Sequence, residues 1–135
     1  MAIIGIDVGE KHIGIAMSVG NIAIPVAVIK RTGGESDLER IAALTGEYET
    51  ELVVVGLPRS MDGSIGAQAE SVIEFAKSLS DYIDIPIDMC DERLTTVMAD
   101  RLMREGGAKR RQRKANIDAM AAAVILQAYI DGKNR

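Results

Sequence analysis

Ile3-Ile4-Gly5-Ile6-Asp7-Val8-Gly9-Glu10-Lys11-His12-Ile13-Gly14-Ile15-Ala16-Met17-Ser18-Val19-Gly20-Asn21-Ile22-Ala23-Ile24-Pro25-Val26-Ala27-Val28-Ile29 holds three apolar runs broken by two short turns. Runs of this length joined by Gly9-Glu10-Lys11-His12 and Gly20-Asn21 predict three antiparallel strands, because connections this short cannot return a parallel neighbour. Pro25 has no amide to give a ladder, so the third strand is expected at a sheet edge or at a bulge.

Beyond residue 30 the pattern changes. Ser36-Asp37-Leu38-Glu39 has capping-box spacing, with Leu38, Ile41, Ala42 and Leu44 as an apolar stripe, and predicts a helix over 37–49. Leu52 to Gly56 is a short continuous apolar strand, Gly66 to Leu79 a helix, and Ile85 to Cys90 a fifth strand. Helical crossovers between strands imply parallel pairing. Two more helices are expected, Thr96 to Glu105 and Ile117 to Ile130, parted by Gly106-Gly107 and a basic run taken as a loosened loop, with Asn116 as N-cap of the last. The expected fold class is α/β: a five-stranded mixed sheet, three antiparallel then two parallel strands, with helices on both faces.

At 135 residues the chain fits one domain, residues 1–135. Its 47% apolar and 27% charged residues are those of a globular protein. No apolar run approaches the roughly 20 residues of a membrane span and the N-terminus lacks a secretory signal, so a cytoplasmic location is expected. Cys90, the one cysteine, permits no internal disulfide and reads as a small buried side chain. The net charge of -4 is unevenly spread: Arg101, Arg104, Lys109, Arg110, Arg111, Arg113 and Lys114 against Glu105 give +6 within fourteen residues, leaving -10 on the rest. An acidic body with one concentrated basic segment fits a protein that grips phosphates locally.

Three carboxylates stand where apolar segments end: Asp7, Glu92 in Asp91-Glu92-Arg93-Leu94-Thr95-Thr96, and Asp118 before the apolar stretch Ala119 to Leu126. Charges at the margins of buried segments are costly unless paired or metal-bound, and oxygen donors suit hard divalent cations. This pattern points to a metal-dependent nuclease. Asp91 and Glu92 are adjacent, so at an extended strand end only one of them can face a shared site. His12 reads as a solvated turn residue, with no nucleophile elbow near it. Leu57 to Ser64, with Pro58, Arg59 and Asp62-Gly63, is either a substrate-contact loop or a plain turn.

Four blocks taken in order, Gly5-Ile6-Asp7-Val8-Gly9 with Ile13-Gly14-Ile15-Ala16, Val55-Gly56-Leu57-Pro58 with Asp62-Gly63-Ser64, Asp91 to Thr96, and the basic run leading to Asp118 with Ala121-Ala122, resemble the YqgF (RuvX-like) family. That family is associated with Holliday junction resolution and with pre-16S ribosomal RNA cleavage. The resemblance implies a ribonuclease H-like fold and a magnesium or manganese ion held by Asp7, Glu92 and Asp118; it is what selects Glu92 over Asp91. Two positions depart from the family pattern, Lys11-His12 and Ser18-Val19, so neither His12 nor Ser18 is given a catalytic role. Lys11, Arg59, Arg93, Lys109, Arg110, Arg111, Arg113 and Lys114 are the nucleic-acid-binding candidates. The expected partner is structured RNA, foremost the 5′ extension of pre-16S ribosomal RNA, or branched DNA, met by a monomer or a homodimer. With no Trp, one Phe and three Tyr, there is little surface for stacking single-stranded bases. The rival from another class is a non-catalytic nucleic-acid-binding module in transcription or ribosome assembly. A nucleotide-binding role of the actin-like kind is disfavoured, because that architecture pairs two such domains.

Overall fold

A computed structural model describes residues 2–58, 66–91 and 110–133, with the side chains of the last helix described from Ala119 to Gly132. Five strands, β1 (Ala2–Val8), β2 (His12–Val19), β3 (Ile22–Lys30), β4 (Thr50–Leu57) and β5 (Ile87–Asp91), form one sheet in the order β3-β2-β1-β4-β5. β1 pairs antiparallel with β2 and β2 with β3, while β1–β4 and β4–β5 are parallel. The expected α/β mixed sheet is present. β3 lies at an edge, and its pairing jumps from Ile15↔Ala27 to Ala16↔Pro25, so Val26 is the extra residue of a bulge beside the proline.

Helices α1 (Glu35–Glu47) and α2 (Ala67–Ser80) cover one face and α3 (Arg110–Lys133) the other. The strand alternation assigns every residue to a side. Ile4, Ile6, Val8, Ile13, Ile15, Val53 and Val55 pack with Leu38, Ile41, Val72, Phe75 and Leu79. Ala16, Val54 and the partly buried Ile3, Leu52 and Cys90 pack with Ala122, Ala123, Ile125, Leu126 and Ile130. β4 is buried on both faces from Val53 to Leu57, which is why its sequence reads as a continuous apolar run rather than an alternation.

Local details correct four expectations. The first helix starts at Glu35 behind an N-cap Gly34 without a side-chain cap bond, so Ser36-Asp37-Leu38-Glu39 is no capping box. Its Asp37, only 1% exposed, instead accepts hydrogen bonds from the Thr32 and Gly33 amides and the Thr32 hydroxyl at 2.9–3.1 Å. A short carboxylate within the first turn satisfies the incoming loop more directly than Ser36, whose hydroxyl meets that of Thr32. His12 is half-buried at the start of β2, paired with Lys30, rather than solvated in the turn. β5 begins at Ile87, two residues later than expected, since Pro86 has no amide for the ladder and offers only its carbonyl, to the Val53 amide. The last helix begins seven residues before Ile117, so Asn116 is interior rather than a cap and Asp118 lies two turns inside. Arg, Lys and Gln are good helix formers, and Arg110 to Lys114 extends the helix where charge density suggested a loop. The expected helix Thr96–Glu105 and the Gly106-Gly107 break lie outside the described residues.

Candidate metal and nucleic-acid site

β1, β4 and β5 run parallel, so their carboxyl ends share one edge of the sheet, where open α/β sheets place ligands. Asp7 is the penultimate residue of β1 and half-buried. It alternates with Ile3 and Gly5, and Gly5 lies under α3: a Cβ there would come within 2.8 Å of the Leu126 Cβ and 3.1 Å of the Ala122 carbonyl. Asp7 therefore has the α3 side of the sheet.

The direction of α3 follows from its contacts. Gln127 accepts from the Ala23 amide at 2.9 Å and donates to the Asn21 carbonyl at 3.0 Å, anchoring the helix at the β2–β3 turn, the sheet end remote from Asp7. Tyr129 donates to the Asp88 carboxylate at 2.8 Å, and the Cys90 thiol lies 3.8 Å from the Ile125 carbonyl. Two strand residues thus match four helix residues, consistent with rises of roughly 3.3 and 1.5 Å per residue. With Ala122 and Leu126 over Gly5, one further turn brings the Asp118 backbone level with Asp7.

Both sheet neighbours of Asp7 are glycines. On β2 its partner is Gly14, and the Ile6↔Val55 register sets Gly56 beside it on β4. Neither carries a side chain on the α3 face, and glycines within strands mark places where a ligand or another backbone comes close. These two glycines were legible as motif members, but their role as flanks of Asp7 emerges only from the register. A carboxylate oxygen donor such as that of Asp7 fits a hard divalent cation in type.

The other predicted residues are only partly brought together. Glu92, Arg59, Arg93 and Lys109 lie outside the described residues, and Asp118, Arg110, Arg111, Arg113 and Lys114 are placed by the α3 backbone alone. Among the described residues no group of three His, Cys, Asp or Glu is placed to hold a metal ion. Lys11 is exposed in the β1–β2 turn, next to the site edge. Ser18 accepts from the Ile3 amide at 2.9 Å at the opposite end of β1, which agrees with giving it no part in the site. Cys90 is half-buried between β5 and α3, as a small packed side chain. No helix among the described residues is long and apolar enough to cross a membrane.

The fold is that of ribonuclease H-like resolvases. The structure "T. thermophilus RuvC in complex with Holliday junction substrate" superposes with a TM-score of 0.57 at 19% identity, covering 99% of this chain and 96% of that one. Fowlpox virus resolvase bound to Holliday junction DNA gives 0.58 at 13% identity over 100% of both chains. In sequence, a Clostridium kluyveri protein named "Putative pre-16S rRNA nuclease" is 44% identical over 133 residues, 97% of each chain. One of the same name from Thermoanaerobacter pseudethanolicus is 44% identical over 136 residues, 98% of each. The family model described as "RuvX: Holliday junction resolvase" matches residues 1–132. Motif order, sheet topology and these matches agree, and the chain belongs to the RuvX family.

Proposed function

We propose that residues 1–135 form one cytoplasmic nuclease domain that cleaves the backbone of structured nucleic acid, foremost the 5′ extension of pre-16S ribosomal RNA. The observation that carries this reading is the placement of Asp7 and the Asp118 backbone at one level on the α3 side of the sheet edge, flanked by Gly14 and Gly56. Asp88 and Cys90 meet α3, so the alternation of β5 turns Asp91 to the other face, and Glu92 enters the proposed site through the family resemblance. Asp7, Glu92 and Asp118 would hold magnesium or manganese. When bound, such an ion lowers the pKa of a water and stabilises charge on the scissile phosphate.

The chain's own residues do the rest. The three carboxylates fix the donor geometry; the two glycines leave room for a phosphate to enter; Lys11 and the basic start of α3 hold the flanking backbone. The backbone of Arg110 to Lys114 forms the turns of α3 that precede Asp118. Backbone contacts of this kind position a strand without reading its sequence.

The test is cleavage of two labelled substrates side by side, an RNA bearing the 5′ extension of small-subunit ribosomal RNA and a four-way DNA junction, each with magnesium, manganese or chelator. Metal-dependent cutting of the RNA supports the proposal. The family model is described as a Holliday junction resolvase, so cutting of the junction alone would move the substrate to DNA. A resolvase makes two symmetric cuts, so that outcome should come with a dimer in sedimentation. Binding without cutting of either substrate would identify a non-catalytic nucleic-acid-binding module.

A further inference from the structure

Arg31 follows β3 and ties the β1–β2 turn to α2. Its Nη1 donates to the Gly9 carbonyl at 2.9 Å, and its own amide donates to the Lys11 carbonyl at 2.8 Å. Its guanidinium carbon lies 5.5 Å from the centroid of the Phe75 ring on α2, within cation–π range. The turn it grips is tight: Gly9 donates to the His12 carbonyl at 2.9 Å, and a Cβ on Gly9 would lie 2.7 Å from that oxygen. Asp7 precedes this turn by two residues, and Lys11 stands on it.

On either side of Arg31 the packing is open. A cavity of about 270 Å³ lies between the turn (Val8, Gly9, Glu10) and the start of α2, and a second of about 380 Å³ lies between α1 and α2. Arg31 lines both. Arg31 therefore reaches the turn across open packing, while Val8 beside it is held in the core. A planar guanidinium can donate to a carbonyl along one edge while stacking on a ring by its face, which an ammonium cannot reproduce.

We propose that Arg31 is a positioning residue, a brace between α2 and the Gly9–Lys11 turn that fixes where the Asp7 carboxylate is presented at the sheet edge. The kinetic part of this proposal rests on the nuclease reading above; the structural part does not. Arg31 contacts no substrate in this role, so it should govern the rate of the bound complex and leave the grip on nucleic acid unchanged.

The experiment uses the full chain as wild type, Arg31→Met, Arg31→Lys and Phe75→Leu, and reads two quantities. The first is amide hydrogen exchange at Gly9. Arg31→Met, which keeps the apolar stem, should speed exchange there by about tenfold or more, the scale of losing a hydrogen bond from a charged donor, with α3 amides unchanged. Phe75→Leu should give a smaller increase in the same place, and the two changes together should be less than additive because they remove one brace. Arg31→Lys should restore only part of the protection. Unchanged exchange at Gly9 in Arg31→Met, or an equal rise throughout the chain, overturns the proposal.

The second reading separates kcat from KM on whichever substrate the wild type cleaves. The brace predicts that Arg31→Met lowers kcat by about ten- to a hundredfold with KM and the salt dependence of binding unchanged. A salt slope that falls by about one, with kcat retained at saturation, would make Arg31 a phosphate contact and overturn the brace. If the wild type cleaves neither substrate, the nuclease reading fails while exchange at Gly9 still decides the brace.

Discussion

Seating α3 against β1 requires that residue 5 have no side chain, and Gly5→Ala tests both the packing and its consequence for the site. The added Cβ would lie 2.8 Å from the Leu126 Cβ and 3.1 Å from the Ala122 carbonyl, both held by a helix buried along this face. Carbon atoms settle at about 3.5–4.0 Å, so helix and strand must part by roughly 0.7–1.2 Å. Overpacking of this size costs about 1–3 kcal/mol. In a chain of this length that lowers Tm by roughly 3–12 °C. The displaced segment adjoins Asp118, one turn from Ala122, and a shift of about 1 Å in a catalytic group costs on the order of a hundredfold in rate. Calorimetry and single-turnover cleavage on folded protein measure the two effects. Gly46→Ala is the control: nothing lies within 4 Å of its would-be Cβ, and in α1 the change should add about 0.5–1 kcal/mol without touching the rate. Wild-type Tm together with wild-type rate in Gly5→Ala would refute the seating of α3 from which the level of Asp118 is argued.

Other consequences are as direct. Burial pushes the Asp37 carboxyl up, but the Thr32 and Gly33 amides, the Thr32 hydroxyl and the Arg31 charge outweigh it and hold the pKa below the ordinary 3.8. A lowered native pKa contributes stability that is complete above about that pH and is lost as pH falls through the native value. Asp37→Asn should therefore cost about 1–3 kcal/mol at neutral pH, and the gap to wild type should close in denaturant titrations below pH 4. Thr50 is 6% exposed and its hydroxyl has no hydrogen-bond partner among the described residues, so Thr50→Val should be neutral or raise stability by up to about 1 kcal/mol by calorimetry. Arg111→Gln with Lys114→Gln should reduce the salt slope of nucleic-acid binding by about two, in fluorescence anisotropy across salt concentrations.

The sheet was legible because each strand has its own signature. Three apolar runs with two short turns specify β1 to β3, and Pro25 marks both the edge and the bulge that the structure shows. β4 announces itself as doubly buried by lacking alternation. Helix ends were less legible. Ser36 and Asp37 are both acceptable capping residues, and only the path of the Thr32–Gly34 loop decides that Asp37 takes the amides. The start of α3 was misplaced because a run of cations looks like a solvated loop, whereas Arg, Lys and Gln lose little rotamer freedom in a helix.

Of the candidate carboxylates, Asp7 and Asp118 stand out in sequence because each interrupts an apolar pattern, whereas Glu92 is chosen over Asp91 only by the family resemblance. The residues that flank Asp7 could not be read there, since Gly14 and Gly56 are 42 residues apart and become its flanks only through strand register. Arg31 was invisible for a similar reason: a cation at a strand end, next to Lys30, reads as surface, and its partners Gly9 and Phe75 lie 22 residues before it and 44 residues after it.

The central claim is that Asp7, Glu92 and Asp118 hold one divalent cation beneath the first half of α3. Titration of isotopically labelled protein with manganese, read as paramagnetic broadening of amide signals, tests it without depending on any substrate. The account predicts that the amides around Asp7, Gly14, Gly56 and Ala119 broaden first and together, and that Asp7→Asn or Asp118→Asn abolishes this at the same manganese concentration. Broadening centred elsewhere, for instance on the exposed acids of α1, or unchanged broadening in Asp7→Asn, would contradict it.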